Sequence, residues 1–365
     1  MPRPRTVYRG QRKYSWIITL AVFLLVLLVI LAVWLFYDLQ RYVVYDKEGV
    51  RLVLPSQRTD ALPLDAPGDT AGGGQSVQPV EVQLVVEAAD YSDLETGAGQ
   101  GLAVIHARYL AAADVNERTM DFEHRGLGDS DALVTELMAP DGFLRWRSSL
   151  PLADSYAVNG TLDLSGAIER LRAGNESAWL VARISALEDA AMATRNTPAA
   201  LVSAADGYVY QEGETAWLDP YSDVTRSYLT ALLRELREIG CDEVLLGGFT
   251  CPEGERVAFS QKMTRRPDAR DALVSLGLYL REQADALGLR LSVVLEPAAL
   301  AADAEAPMGQ DASLLLRIFD RVYFDAGAVG DAGAEALRAL AGADAEARVV
   351  PIAAETPEAG SFALR

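Results

Sequence analysis

Residues 224–249, VTRSYLTALLRELREIGCDEVLLGGF, contain the two patterns that decide the fold. In the first part, apolar residues recur every three or four positions, which predicts an amphipathic helix over 224–240 with Asp223 as its cap. In the second part, a short apolar run predicts a buried strand over 242–249. A helix that leads into a buried strand is the repeating unit of an α/β protein, so this stretch predicts a parallel sheet covered by helices.

The same alternation extends along most of the chain on both sides of this stretch. Strands are also predicted at 81–89, 132–140, 178–186, 289–297, 321–326 and 347–354, and helices at 102–119, 162–174, 266–288, 311–319 and 332–341. Seven strands alternating with helices in one domain favour a (β/α)8-type TIM barrel over an open sheet. No eighth strand is evident before Arg365, so we expect a barrel that is incomplete or irregularly closed.

An apolar run without a single charge, WIITLAVFLLVLLVILAVWLFY, occupies residues 16–37. As a helix it would extend roughly 33 Å, enough to cross the hydrocarbon core of a membrane. Five basic residues and no acid precede it, which predicts a cytoplasmic segment 1–14, a transmembrane helix 15–37 and an extracellular C-terminal part. A cleaved signal peptide is the alternative, but the run is longer than usual and no A-x-A-like site follows it.

Two further segments separate the predicted membrane helix from the barrel. The turn sequence Asp46-Lys47-Glu48-Gly49 between two β-rich runs predicts a hairpin within residues 38–55. Residues 56–79 are rich in Pro, Gly, Asp and Ser and have no apolar period, which predicts a flexible linker. The barrel domain is therefore expected to occupy residues 80–365.

Charge and residue usage exclude several classes of function. The formal net charge is −19, and because residues 1–14 contribute +5, the rest carries −24. Such an acidic surface argues against a nucleic-acid partner. The two cysteines, Cys241 and Cys251, flank a predicted strand and are expected to be free thiols. The two histidines form no cluster with zinc spacing, and no nucleotide-binding glycine motif occurs, so we expect neither a metal nor a cofactor.

Carboxylic acids are the candidates for chemistry, because a barrel collects its functional side chains at the carboxyl ends of its strands. The predicted strands place five acids near those ends: Glu136, Asp189, Asp219, Glu296 and Asp325. A glycosidase needs two carboxyl groups that face each other across a sugar. Acids are frequent in this chain, however, so each of the five could equally be a helix cap, a turn residue or a solvated charge.

The segment AWLDPYSD adds two aromatic residues to this set, Trp217 and Tyr221, on either side of Asp219. Aromatic faces stack well on sugar rings, and a neighbouring carboxylate can accept hydrogen bonds from sugar hydroxyl groups. The alternative is that Trp217 packs beneath the barrel rim and that the acidic segment is only a turn before the helix.

Residues 178–252 resemble a TIM-barrel family of putative glycosyl hydrolases, whose members are often anchored outside bacterial cells. The pattern of that family is an Ala-Arg-Ile strand ending near an Asp, then Trp-x-Asp/Asn-Pro-Tyr, then Gly-Phe-Asp-Glu-Ile-x-Phe-Asp-Tyr-x-Arg-Phe-Pro. The matching residues are Ala182, Arg183, Ile184, Asp189, Trp217, Asp219, Pro220, Tyr221, Gly240, Asp242, Glu243 and Pro252. The resemblance implies a glycosidase fold.

The chain departs from the family at the end of the strand 242–249. Gly247, Gly248 and Thr250 stand where the family has Asp, Tyr and Arg, and the later Pro-Met-x-Tyr-Pro motif is replaced by RVYFDAGAV. Neither glycine nor threonine can supply a carboxylate or a guanidinium group. The family implies an acid at this strand end, and this sequence lacks it.

Three hypotheses follow for the function. The favoured one is a degenerate barrel, a pseudoenzyme that binds a glycan or a cell-wall polymer. The second is an active glycoside hydrolase with relocated carboxylates, in which Glu296 is the acid and Asp189 or Asp219 its partner. The third is a structural scaffold of the cell envelope. Where a substrate binds, Trp217, Tyr221 and Arg183 are expected to contact it.

Overall fold

The computed structural model describes residues 43–46, 49–52, 89–125, 127, 131–261, 263, 265–300, 308–357 and 359–365. The chain divides into two compact units, Met1–Glu81 and Val82–Arg365. In the first unit, Val43–Asp46 and Gly49–Leu52 pair as an antiparallel hairpin. The predicted membrane helix 15–37, the linker 56–79 and most of the predicted strand 81–89 lie outside the described residues. No helix among those that the structure describes has the length and apolar character needed to cross a membrane.

The second unit is a closed barrel of eight parallel strands. The strands follow the chain order around the barrel, and each pairs with the next. They are β1 (His106–Leu110), β2 (Ala132–Met138), β3 (Trp179–Ser185), β4 (Glu243–Gly247), β5 (Arg290–Val294), β6 (Val322–Asp325), β7 (Val349–Ala353) and β8 (Phe362–Leu364). The predicted TIM barrel is therefore confirmed, while the expectation of an incomplete or irregular closure is wrong.

Helices connect these strands and cover the outside of the barrel. They are α1 (Glu117–Arg125), α2 (Pro151–Ser155), α3 (Leu164–Gly174), α4 (Ala190–Arg195), α5 (Asp223–Ile239), α6 (Ala269–Leu287), α7 (Ala312–Ile318), α8 (Ala326–Ala341) and α9 (Ala345–Arg348). Short two-residue strands between β3 and α5 (202–203, 211–212 and 215–216) and at 257–258 build a small loop region above the barrel. This region follows the carboxyl ends of β3 and β4.

The stretch that predicted the fold forms the elements expected of it. Helix α5 buries its apolar side, including Leu232 and Leu236, against the outside of the barrel. Gly240 ends the helix with φ of +113°, a left-handed conformation that glycine adopts without steric cost. The predicted cap is different, because Asp223 is the first helical residue and its charge lies in the first turn.

One predicted helix is a strand in the structure. Residues 102–119 contain β1, which pairs with β2 and β8, and α1 begins only at Glu117. The alanine-rich local sequence favours a helix, but pairing on both edges outweighs that preference. β1 is the strand that allows the barrel to close.

The interior of the barrel is layered. All eight strands contribute to one apolar cluster around the axis, which includes Val134, Val181, Leu245, Val294 and Ala363. A separate and larger cluster fills the space between the strands and the helices. Since side chains alternate along a strand, the residue two positions after each interior residue faces the axis again, one layer closer to the carboxyl end.

A polar network closes the opposite, amino-terminal end of the barrel. The Glu243 side chain is fully buried and forms an ion pair with Arg321. It also accepts hydrogen bonds from Ser292 Oγ at 2.6 Å, Trp179 Nε1 at 2.8 Å and Tyr323 Oη at 3.2 Å. The buried carboxylate is thus satisfied by donors from three strands and by Arg321, which precedes β6, as a buried charge requires.

Candidate active site at the mouth of the barrel

A ring of mostly polar side chains surrounds the carboxyl end of the barrel axis. Its members lie two positions beyond the apolar interior residues, in the same inward-facing rows. We call this set the mouth ring: Tyr109, Glu136, Arg183, Gly247, Glu296, Asp325 and Arg365. The strands β1 to β6 and β8 therefore each place one residue at the mouth, and only β4 places a residue without a side chain there.

Two ion pairs organise the mouth ring. Arg183 Nη1 lies 3.4 Å from Glu136 Oε1 and donates a hydrogen bond to Tyr109 Oη. On the other side, Arg365 Nη2 lies 2.8 Å from Asp325 Oδ2. Both guanidinium groups also lie within 6 Å of the Tyr109 ring, Arg183 at 5.7 Å and Arg365 at 5.8 Å from its centroid. Tyr109 is thus the common contact of both cations.

Glu296 is the carboxylic acid in the mouth ring that lacks a direct cationic partner. Its backbone N–H is fixed by Gln310 Oε1 at 2.8 Å, while its carboxylate accepts no hydrogen bond from the residues described. Burial raises the pKa of Glu296, and the negative charges of Glu188 and Asp325 raise it further, although Arg183 acts in the opposite direction. A carboxyl group in these surroundings retains its proton to higher pH than an exposed one.

Glu188, in the loop after β3, is the carboxylate that influences Glu296 most. Its side chain accepts a hydrogen bond from Thr250 Oγ1 at 2.6 Å, and Thr250 in turn accepts one from Trp217 Nε1 at 3.1 Å. These two buried donors hold the Glu188 carboxylate in place. Glu188 was not among the acids predicted from the sequence.

The three departures from the family pattern all contact the charged groups of the mouth. A Cβ atom on Gly248 would lie 2.8 Å from Glu188 Cβ and 2.5 Å from Ser185 Oγ, so only glycine leaves room for Glu188 here. Thr250 supplies the hydroxyl that binds Glu188. A Cβ atom on Gly247 would lie 3.0 Å from Arg183 Nε. The end of β4 thus carries no carboxylate at these positions, and Gly248 and Thr250 lie beside the Glu188 carboxylate of the loop after β3.

The other two predicted acids are buried away from the mouth ring. Asp189 caps α4 by accepting a hydrogen bond from the Met192 N–H at 2.8 Å, and Tyr228 Oη donates to its second oxygen at 3.2 Å. Burial raises the pKa of Asp189 to about 6. Both carboxylate oxygens of Asp189 are thus engaged in buried hydrogen bonds. These contacts give no support to a pairing of Asp189 with Glu296.

Asp219 is equally enclosed and organises a turn. One oxygen accepts from the Tyr221 N–H at 2.8 Å, and the other accepts from Ser260 N–H at 2.7 Å and Ser260 Oγ at 2.6 Å. Burial raises its pKa although these hydrogen bonds act in the opposite direction. Asp219 thus ties the loop before α5 to the loop after β4, and its contacts likewise do not place it beside Glu296.

The predicted substrate-binding residues have different surroundings. Trp217 is only 3% exposed, so its ring packs under the rim, as the alternative interpretation proposed, and cannot stack on a sugar. Tyr221 is half-buried and packs edge-on against Phe259 at 5.3 Å between ring centroids. Arg183 is the member of the three that lies in the mouth ring.

The part of the chain that the structure describes contains no candidate metal site, and both of its cysteines are buried. No group of three or more potential ligands is arranged to hold a metal ion there. Cys241 and Cys251 are both free and buried, which confirms that prediction. Burial raises the pKa of Cys241 to about 12, so this thiol is protonated at neutral pH.

Several solved structures are similar to this chain at low sequence identity, whereas no curated protein matches it. The glycoside hydrolase domain of PgaB (BpsB) from Bordetella bronchiseptica is 11% identical, with a TM-score of 0.51 over 72% of this chain and 94% of that domain. A hypothetical protein from Ruminiclostridium thermocellum ATCC 27405 is 19% identical, with a TM-score of 0.43 over 51% of this chain and 96% of that one. The Group IV chitinase of Ostrinia furnacalis is 14% identical, with a TM-score of 0.36, and covers 61% of this chain and 51% of its own.

A family match agrees with the barrel and with the sequence resemblance. The family described as "Putative glycosyl hydrolase domain" matches residues 106–323, from the first residue of β1 into β6. The match includes the Ala-Arg-Ile strand, the aspartate turn before α5 and the end of β4. Because it spans more than half of the chain, the protein belongs to this family of glycosyl hydrolase domains.

Proposed function

We propose that the barrel is a glycoside hydrolase with a relocated pair of carboxylates, Glu296 as the proton donor and Glu188 as its partner. The observation that carries this proposal is the contact of Gly248 and Thr250 with Glu188. One of these residues leaves room for the Glu188 side chain and the other donates a hydrogen bond to it. These contacts support Glu188 as the acid that acts in place of a carboxylate at the end of β4.

The two carboxylates suit the two roles in glycoside hydrolysis. Glu296, half-buried and close to other acids, is the group that keeps its proton and can donate it to the glycosidic oxygen. Glu188, held by a hydroxyl donor, is the group that attacks the anomeric carbon or activates a water molecule for that attack. The balanced reaction consumes one water and yields two shorter saccharides.

The surrounding cations assist binding rather than proton transfer. Arg183 and Arg365 are paired with acids and flank Tyr109, so they present N–H donors for sugar hydroxyl groups around the mouth. Membership of a glycosyl hydrolase family supports a glycan as the substrate. We further propose that residues 15–37 anchor the protein in the cell membrane and that the barrel acts outside the cell.

A reducing-end assay tests the hydrolase. The full chain in a non-ionic detergent is incubated with peptidoglycan and a panel of polysaccharides, and new reducing ends are counted. We expect release that falls at least a hundredfold in both Glu296→Gln and Glu188→Gln, because each variant removes one of the two required groups. The control is Glu214→Gln, an exposed acid in the loops after β3, which should leave release unchanged.

A second candidate is a binding protein without turnover, and Gly247 favours it. Of the seven ring positions, β4 alone lacks a side chain, at the place where the family has its acid. Retention of the protein on a polysaccharide that it does not cleave would support binding without hydrolysis and contradict the first proposal. Release that persists in Glu188→Gln would instead show that another group is the partner of Glu296.

A protease-protection experiment tests the membrane anchor. In intact spheroplasts that carry the full chain, added protease should degrade the barrel, whereas deletion of residues 1–37 should leave the barrel in the soluble fraction inside the cell. Protection of the barrel in the full-length protein would reverse the proposed orientation.

A further inference from the structure

A cavity of about 510 Å3 opens at the amino-terminal end of the barrel, opposite the mouth ring. Its wall is formed by residues 92, 94–98 and 100 together with Leu316, Arg317 and Arg348. The Gly99 N–H donates to Asp320, just before β6, and Arg348 directly precedes β7, which fixes the cavity to this end. Nothing in the proposed hydrolysis uses it.

Two arginine side chains in the cavity wall form no ion pair with any acid that the structure describes. Arg317 Nη1 donates to the carbonyl oxygens of Tyr91 at 2.8 Å and Ser92 at 3.2 Å. Arg348 donates to carbonyl oxygens within residues 316–320. Neither forms an ion pair with a carboxylate of the described residues, and burial lowers the pKa of Arg348. Two cations thus line one cavity with backbone carbonyl oxygens as their hydrogen-bond acceptors, and the charges of Asp344 and Asp320 act on Arg348 without forming an ion pair with it.

A glycine-rich loop, Thr96-Gly97-Ala98-Gly99-Gln100-Gly101, brings the chain against these cations. Its three glycines have φ of +71°, +81° and +67°. A Cβ atom on Gly99 would overlap the Arg348 guanidinium, so glycine is required for the close approach. Arg348 Nη1 and the Nε and Nη2 atoms of Arg317 donate no hydrogen bond to any residue in the described part, which leaves them available to a ligand.

We infer that this cavity binds a phosphate group, as a phosphomonoester or a phosphodiester. Guanidinium groups form strong, directional hydrogen bonds to phosphate oxygens, and a bound anion would compensate the two unpaired cations. Glu95 is the one carboxylate among the lining residues, so the described wall carries a net positive charge. This inference is independent of whether the mouth ring hydrolyses glycans.

Calorimetric titration of the full chain in non-ionic detergent, at constant ionic strength, tests the site. The probes are inorganic phosphate and dihexanoyl phosphatidylglycerol below its critical micelle concentration. We expect binding to weaken at least tenfold in Arg317→Gln, because this variant removes one of the two guanidinium groups. Arg317 is exposed, so it can be replaced without loss of the fold. Glu95→Gln should strengthen binding, because it removes the opposing charge.

The matched control is Arg195→Gln. Arg195 also donates to a backbone carbonyl oxygen, that of Tyr156 at 2.6 Å, but it lies in α4 on the other side of the barrel. This variant should bind both probes as the unaltered protein does. Binding of phosphate alone assigns the site to free phosphomonoesters, and binding of the lipid alone assigns it to headgroups. Absence of binding to both, or equal binding by Arg317→Gln, would overturn the inference.

Discussion

Gly248 illustrates how a residue without a side chain determines where a functional group lies. Its φ of +51° and the short distances from its would-be Cβ atom to Ser185 and Glu188 leave no room for another residue. We expect Gly248→Ala to displace Glu188 and to lower hydrolysis at least tenfold in the reducing-end assay. A left-handed alanine also costs about 1–2 kcal/mol of stability.

Gly213→Ala separates these two effects. Gly213 has a similar φ of +62°, but no atom lies within 4 Å of its would-be Cβ. This variant should lose only the stability that a left-handed alanine costs, as measured by thermal unfolding, and should keep its hydrolytic rate. Equal losses of activity in both variants would show that backbone strain, and not the position of Glu188, is responsible.

Asp189 should make stability depend on pH. Burial raises its pKa to about 6, above the ordinary value of 3.8, so the folded state binds more protons than the unfolded state between these values. The unfolding free energy should therefore fall as pH rises from about 4 to about 6, by roughly 3 kcal/mol from this group. Urea denaturation of the unaltered protein and of Asp189→Asn at pH 4 and pH 7 measures the unfolding free energy. The fall should be absent in the variant. An unchanged pH dependence in the variant would contradict the assignment.

The charge of Asp325 should influence proton donation by Glu296. Burial and the neighbouring acids Glu188 and Asp325 raise the pKa of Glu296. Removing one of these negative charges favours the ionised form of Glu296, so Asp325→Asn should lower the pKa of Glu296. We expect the alkaline limb of the kcat/KM profile to move to lower pH. Asp206→Asn, a change at an exposed turn, should leave the limb in place.

Local sequence identifies some of these residues and misses others for a physical reason. Glu296 was predicted for the site because it ends a recognisable strand, and Arg183 because it matches the Ala-Arg-Ile strand of the resembled family. Glu188 was missed, because its position depends on room beside Gly248 and on a hydroxyl from Thr250, two residues about 60 positions away. The neighbouring Asp189 carried the family resemblance, but its side chain caps α4.

At the scale of elements, strands with long apolar runs could be predicted and short ones could not. β2 to β7 each fall within a predicted strand, although the predicted ends extend further. β8 comprises only Phe362–Leu364, too short to show an alternating pattern, and β1 has a local sequence typical of a helix. Both are stabilised by pairing with strands distant in sequence, which local patterns do not reveal.

The role of β8 in closing the barrel can be tested by introducing a charged residue on its inward-facing side. Ala363 is fully buried in the axial cluster, whereas Leu364 is half-buried and faces the other way. We expect Ala363→Asp to destabilise the fold by several kcal/mol, because it buries an unpaired carboxylate. Leu364→Asp should cost much less in the same thermal unfolding experiment. A small effect of Ala363→Asp would mean that β8 contributes little to closure.

At the scale of the whole molecule, the two ends of the barrel carry different chemistry. Acids and two paired arginines surround the mouth, whereas the cavity at the other end contains two unpaired arginines. The apolar cluster and the Glu243–Arg321 pair fill the space between them. The two sites should therefore respond independently to substitution.

A double comparison tests that independence. Arg317→Gln should weaken phosphate binding and leave the release of reducing ends unchanged. Glu296→Gln should abolish release and leave phosphate binding unchanged. Calorimetry measures phosphate binding and the reducing-end assay measures hydrolysis, each on the same preparations of the two variants. A loss of hydrolysis in Arg317→Gln would reveal coupling through the barrel interior.

The position of Arg365 has a practical consequence for experiments on this protein. The residue pairs with Asp325 and lies over the Tyr109 ring at the rim of the mouth. Any polypeptide joined after it would therefore emerge beside the mouth ring, the proposed substrate entrance. An affinity tag or a fluorescent protein fused there would sterically hinder polysaccharide chains that approach the mouth ring. An activity screen with such a fusion could then give a false negative. A removable tag, cleaved before the assay, avoids that artefact.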